Sequence, residues 1–332
     1  MAEFTEIPVA NPLAELPPAP PSQPAPLLLR CVTLVAMLIP VAGVVVTPFY
    51  VWGRGFGWTD LWLLVAMYIV TSLGITIGFH RLFVHRSFDT WTWLKFVIAV
   101  IGSMAVEGSL FDWVGMHRRH HQFSDTPQDP HTPHHHGEGV WGALRGLWHA
   151  HIGWCFDANP PDLARYTKDL AAVPALRVAS KWFPLWIALG LLIPAAIGGL
   201  ISHSWWGAWT AFLWGGLVRV FLVHHVTWSI NSACHLWGRQ PFVSKDMSRN
   251  NLLFGYVGMG EGWHNTHHAF PQSVRHGLQW WEIDVSYWII RALAACGLAW
   301  NLKLPSREDQ ARGRRPPHRM PSFRLRKRAG TV

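Results

Sequence analysis

The chain has 332 residues, of which 50% are hydrophobic and only 14% charged, a composition too apolar for an ordinary soluble protein. Its 22 tryptophans point to membrane interfaces, where the ring lies in lipid and the N–H in water. The net charge of +9 does not indicate nucleic acid, because much of the excess lies in the tail from Lys303 to Arg328, read as a basic segment facing anionic lipid. Cys31, Cys155, Cys234 and Cys296 form no C-x-x-C pair, which excludes a zinc knuckle or iron–sulfur site, and they read as buried thiols. Residues 1–26 are rich in Pro and Ala and lack the cations of a signal peptide, so a disordered lead-in is expected there. The main body is 27–302 and the basic tail 303–332.

Taken in order, Leu27 to Trp52 is long and apolar enough to cross a hydrocarbon core. Gly53 to Gly57 forms a turn, and Trp58 to Phe79 returns as a second span that delivers His80 and His85. Trp91 to Trp113 is apolar but carries Glu107 and Asp112. A full crossing would place the next histidines on the far side, so this stretch reads as re-entrant, interfacial or two short spans. The loop from Ser124 to Glu138 is too polar for a bilayer core, and Val140 to Ser180 has the amphipathic mixture of an interface segment. Trp182 to Ile201 and Trp205 to Val223 are the remaining spans, turning at His203 and Ser204. Trp280 to Trp300 is expected to be an apolar helix lying against them.

The reading is thus an all-α integral membrane protein with four transmembrane helices in two hairpins under a helical cap. The first turn holds only Arg54 and the second no Lys or Arg, so the positive-inside rule places both termini and every histidine cluster in the cytoplasm.

His264, His267 and His268 recur at i, i+3 and i+4, one face of a helix, and His117, His120 and His121 repeat the pattern. His80 and His85 are five apart, roughly 140° around an α-helix, so they would meet at one metal only if the span frays, and would otherwise serve different metals. With His235, nine imidazoles lie on one side of the membrane, too many for one ion and suited to two. The set lacks cysteine, against structural zinc, and an obligatory carboxylate, against calcium or magnesium. Two non-haem irons per chain, with O2 as co-substrate, fit best, although isolated imidazole sites also take zinc on overexpression.

The segments HRLFVH (80–85), HRRHHQ (117–122), NSACHLWG (231–238) and HNTHH (264–268), in this order and between paired spans, resemble the integral-membrane acyl-CoA desaturases, the stearoyl-CoA desaturase-like group and especially its bacterial members. The resemblance runs from His80 to Trp281. It implies that His80, His85, His117, His120, His121, His235, His264, His267 and His268 ligate two irons and that Asn231 holds a water on one of them. It also implies a bacterial inner-membrane enzyme that takes two hydrogens from adjacent methylenes of a long-chain acyl group, leaving a cis double bond, commonly delta-9. Breaking such C–H bonds is beyond any acid or base side chain and calls for a redox metal.

Asp125, Asp129 and Glu261 are placed to orient ring N–H groups, and Trp113, Trp154 and Trp228 to line the acyl slot. Acyl-CoA is the expected substrate. However, Gly115-Met116 stands where members using acyl-CoA carry Arg-Asp, and Glu107-Gly108 stands where many carry Gln-Asn. An acyl-lipid substrate such as a phospholipid therefore competes, with acyl carrier protein a lesser alternative. No G-x-G-x-x-G fingerprint, cysteine cluster or haem domain is present, so electrons must come from a separate ferredoxin, rubredoxin or cytochrome-type carrier and its reductase. A hydroxylase on the same scaffold is the enzyme alternative. A metal transporter fits poorly, since transporters bind ions near the bilayer midplane and often contain repeats. His134 to His136 read as a solvated loop, His224 and His225 as packing or supporting residues, and His149, His151 and His276 as structural.

Overall fold

The computed structural model describes residues 24–51, 56–158 and 163–315. The lead-in up to residue 23, most of the expected turn at Gly53 to Gly57, and the tail beyond 315 lie outside the described residues.

Helix α1 (Leu27–Val51) is the first span. Helix α2 (Trp58–Leu73) continues without a break into a π-helix, Gly74–Val84, giving a second span of 27 residues. The short strand β1 (Asp89–Thr90) pairs antiparallel with β2 (Ala299–Trp300). The apolar stretch from Trp91 becomes two short helices, α3 (Thr92–Ser103) and α4 (Leu110–Phe123). Val106 and Gly108, both at positive φ, break the path between them. Helices α5 (Gly139–His151), α6 (Lys168–Ala171) and α7 (Pro174–Lys181) follow, and the outer face of α5 exposes Val140, Trp141, Leu144 and Trp148, as an interfacial helix should.

The third span is α8 (Phe183–Ser202), ended by a left-handed His203. The fourth runs continuously for 31 residues, Trp205–His235, through α9 (Trp205–Ala211), a π-helical Phe212–Val218 and α10 (Arg219–Ser232). The cap is completed by α11 (Leu252–Val257), α12 (His264–Ala269), α13 (Val285–Ala295) and α14 (Arg307–Gly313). At 1.5 Å per residue the fourth span is about 46 Å long, against about 30 Å of hydrocarbon. It is therefore long enough to pass beyond the hydrocarbon core, and its last turn carries Asn231 and His235.

Gly74 and Gly102 let α3 lie directly on the second span: a Cβ on Gly74 would come within 2.4 Å of the Gly102 backbone nitrogen. The break after α3 is pinned from the fourth span. Buried Arg219 donates to the carbonyls of Met104 (2.6 Å), Gly190 (2.7 Å) and Gly215 (3.2 Å), and His224 Nε2 donates to the Val106 carbonyl at 3.0 Å.

Three expectations change. The helix expected over Trp280 to Trp300 extends only over Val285–Ala295, because Asp284 caps its start and Gly297, at positive φ, turns the chain into β2. Of the cysteines, Cys234 is buried and Cys155 partly so, but Cys31 on α1 and Cys296 just after α13 are exposed. The described part of the basic tail is packed: Lys303 exchanges backbone hydrogen bonds with Ser87 and Val274, and α14 is followed by a bond from Arg315 N to Pro241 O.

Candidate metal centre

Each histidine segment is built so that its rings face inward and its other residues anchor the backbone. In α4, Arg118 reaches outward to the carbonyls of Phe83 and Tyr166 and to Asp169, tying α4 to the end of the second span, while Arg119 donates to Gln128 O. In α12 the intervening pair does the same. Asn265 accepts from Phe242 N at 2.8 Å, and Thr266 exchanges two bonds with Asn250. These contacts fix the loop between His235 and α12, and with it Asp246.

His80 and His85 do converge, for a reason α-helical geometry does not supply. The π-helix closes i→i+5 hydrogen bonds, including His85 N to His80 O at 3.1 Å, so residues five apart stack nearly one above the other. Their ring centroids are 4.8 Å apart.

The nine rings sort into two clusters. His80, His85, His117, His121 and His267 can each turn one nitrogen into a common space, and His120, His235, His264 and His268 do so in a second; within each, the ligand atoms lie within 4.8 Å of one another. His121 and His268, one from each cluster, stack at 4.5 Å, so the two spaces adjoin. Asn231 borders the same region, lining a cavity with His264 and Glu261.

The donor set fits cations. His80 Nε2 faces His267 Nε2 at 3.1 Å, and His235 Nε2 faces His264 Nε2 at 3.1 Å. The opposite nitrogens of His80 and His235 face Glu261 at 2.5 Å and Asp125 at 2.9 Å, so in the neutral rings the inward nitrogens are the ones that carry lone pairs. Buried His85 Nε2, His120 Nε2 and His268 Nε2 have no protein partner. Burial, reinforced by neighbouring rings, pushes His85, His117, His121, His264 and His267 well below the usual imidazole range, which keeps them neutral and available as ligands.

Each of the three carboxylates expected to orient rings lies within hydrogen-bond distance of a ring nitrogen. Besides Asp125 and Glu261, Asp129 receives His120 Nδ1 at 3.0 Å. Burial opposes ionisation of Asp125, yet the hydrogen bond and charge interaction with His235 bring it down to about 2. Asp246, 2.6 Å from His268 Nδ1, plays the same part and was missed. It lies in a loop with no distinguishing spacing, and only the folded chain shows its partner. Arg81 was also missed, and His276, read as structural, is its partner. Arg81, wholly buried, bonds Asp284, Glu261, the Val274 carbonyl and His276 Nδ1. His149 donates to a backbone carbonyl and His151 shares a hydrogen bond with His225, in keeping with structural roles, while His136, read as part of a solvated loop, donates to the Thr132 carbonyl.

Beside the clusters lies a cavity of about 510 Å³. Trp113, Trp154 and Trp228 all line it, and Trp113 stacks on His117 at 5.0 Å. Leu29 and Val32 line it too and are exposed on α1, so it reaches the membrane-facing surface. Glu107 stands in its wall, accepting from Trp113 Nε1 at 3.1 Å, and burial pushes its carboxyl up to about 7 against the hydrogen bonds from Thr227 and Trp113.

Residues 56–301 match the fatty acid desaturase family. The chain belongs to that family. It is 41% identical over 271 residues to the hex-5-enoyl-[acyl-carrier protein] acetylenase of Moorena producens, covering 81% of this chain and 84% of that one. It is 40% identical to the sn-1 stearoyl-lipid 9-desaturase of Synechocystis, over 75% of this chain and 74% of that one. With the acyl-CoA C20 Delta5-desaturase of Anemone leveillei it shares 36% identity, over 76% of each. The chain is therefore a membrane oxidoreductase, a fatty acid desaturase. The names of these relatives cover three carriers of the acyl group: acyl carrier protein, lipid and CoA.

Proposed function

We propose that this desaturase holds two irons in the adjoining histidine clusters and introduces a cis double bond, at delta-9, into a long acyl chain esterified in a membrane lipid. The nine histidines are the ligands, with Asn231 placing a water beside His264. When bound, the irons supply the oxidising power for C–H cleavage from O2. The balance is one O2, two hydrogens from adjacent methylenes, and two electrons with two protons from an external ferredoxin, rubredoxin or cytochrome-type donor, giving two waters. The chain's own residues orient the imidazoles through Asp125, Asp129, Asp246 and Glu261, while burial favours the neutral form of His85, His117, His121, His264 and His267, and they exclude water around a bent acyl chain between Trp113, Trp154 and Trp228.

The observation that favours a lipid over acyl-CoA is the charge of the cavity. Its lining includes the carboxylates of Asp112 and Asp157, the Arg81-paired Glu261 and the partly protonated Glu107, and, among the described residues, no Lys or Arg. The phosphates of CoA would meet like charge there, whereas an uncharged ester entering beside Leu29 and Val32 would not. The stearoyl-lipid 9-desaturase relatives support the same carrier and position. With both hairpin turns poor in cations, the metal side is cytoplasmic.

The test is to express the chain in a host fed labelled stearate and follow where the double bond first appears. Label arising first in intact glycerolipids, with the bond at delta-9, supports the proposal. Label arising first in acyl-CoA favours that carrier instead, and a hydroxylated product would replace the desaturase reading by a hydroxylase. Two irons per chain in anaerobically purified protein is the accompanying expectation.

A further inference from the structure

The two histidine clusters differ in how their rings are supported. In the four-histidine cluster, three of the outer ring nitrogens meet carboxylates: His120 meets Asp129 at 3.0 Å, His235 meets Asp125 at 2.9 Å and His268 meets Asp246 at 2.6 Å. In the five-histidine cluster only His80 does so among the described residues, through Glu261 at 2.5 Å. That carboxylate is also shared with the cation Arg81 at 3.2 Å, which draws on its charge. One outer nitrogen in each cluster, that of His267 here and that of His264 in the other, is buried with no protein partner, so the contrast lies in the carboxylates.

We infer that the two metal positions are unequal and that the cluster of His120, His235, His264 and His268, backed by Asp125, Asp129 and Asp246, is the tighter and fills first. The inference rests on the two-metal reading above. A carboxylate accepting the outer N–H makes the ring a stronger donor and fixes its orientation, and loss of one such partner typically costs 10–100-fold in metal affinity. Two more partners are worth on the order of 10²–10⁴-fold. The other cluster's fifth ring works in the opposite direction, but His85 reaches it through the π-turn and without a carboxylate. The three aspartates are themselves held firmly: Asp125 accepts from Met247 N, Asp129 from Asp125 N and His131 N, and Asp246 from Ser248 N. Their orientation therefore precedes metal arrival.

The experiment is a Co2+ titration of the purified, metal-stripped full chain in detergent against a competing chelator. The wild type should show two sites separated by at least about tenfold. His268→Ala should retain only the weaker site and His121→Ala only the tighter. Asp246→Asn, with Asp125→Asn as the parallel variant, should weaken the tighter site by about 10–100-fold and leave the weaker unchanged. Equal affinities in the wild type, or a tight site that survives His268→Ala and disappears in His121→Ala, would overturn the inference while keeping two metals. Uptake of fewer than two Co2+ by the wild type would instead remove the two-metal reading itself, and the inference with it. Gel filtration and circular dichroism of the metal-free variants check that each is folded.

Discussion

The carboxylate of Glu261 lies 2.5 Å from His80 Nδ1, and its other oxygen lies 3.2 Å from the guanidinium of Arg81. One buried side chain thus sets which nitrogen of His80 faces the cluster and also partners a buried cation. Glu261→Gln keeps the shape but leaves Arg81 one negative partner, Asp284, at 2.8 Å. The expected outcome is a folded protein whose metal affinity at the five-histidine cluster falls about 10–100-fold. Glu261→Ala should be harsher, lowering stability by about 1–3 kcal/mol, since it leaves a cavity and unpartnered buried donors on Arg81 and His80 even though Asp284 still holds the guanidinium. Iron content and chemical unfolding of the two variants, side by side, check both.

His267 and His268 lie on α12, outside the four candidate spans. Replacing either with Ala should abolish product while leaving membrane insertion intact. Lipid analysis and carbonate extraction of membranes expressing each variant give the two readouts. Full activity in either would refute its assignment as a ligand.

Much of this was legible in the chain because its signals are local. Four apolar runs became four candidate spans, and two i, i+3, i+4 faces became α4 and α12 with their rings turned inward. What sequence could not show was register. His80 and His85 read as pointing apart because an α-helix was assumed, and apolar periodicity in an all-round hydrophobic span carries no mark of the π-turn that brings them together. Asp246 was hidden for a different reason. It reaches His268 from 22 residues away, through a loop tied down by Asn265 and Thr266, the two residues of the motif that carry no imidazole.

Glu107 provides a pH signature. Burial raises its carboxyl from 4.5 to about 7 in the folded protein, so between those values the native state holds a proton that the unfolded chain has released. Stability contributed by this group is therefore lost as pH rises through that window. Glu107→Gln, which cannot ionise, should remove this component, and the advantage of the variant should grow from about pH 5 to about pH 7 and then level off. Thermal unfolding in detergent at several pH values measures the gap, and parallel curves for the two proteins would show that Glu107 carries no such linkage.

Asp112 and Asp157 line the cavity from opposite stretches of chain, Asp112 in the first turn of α4 and Asp157 just after the short helix that carries Trp154. If their charge keeps anionic carriers out, reversing it should admit them. The double variant Asp112→Arg, Asp157→Lys should bind long-chain acyl-CoA at least about tenfold more tightly than the wild type, most clearly at low salt, where charge interactions across the mouth are least screened. A lipid substrate with no net charge at its ester end should be affected much less. Competition between labelled acyl-CoA and labelled glycerolipid in mixed micelles, at two ionic strengths, reads out the selectivity directly. A double variant that leaves acyl-CoA binding unchanged at both would show that these carboxylates do not govern the choice of head group, and the preference for lipid would lose its electrostatic basis.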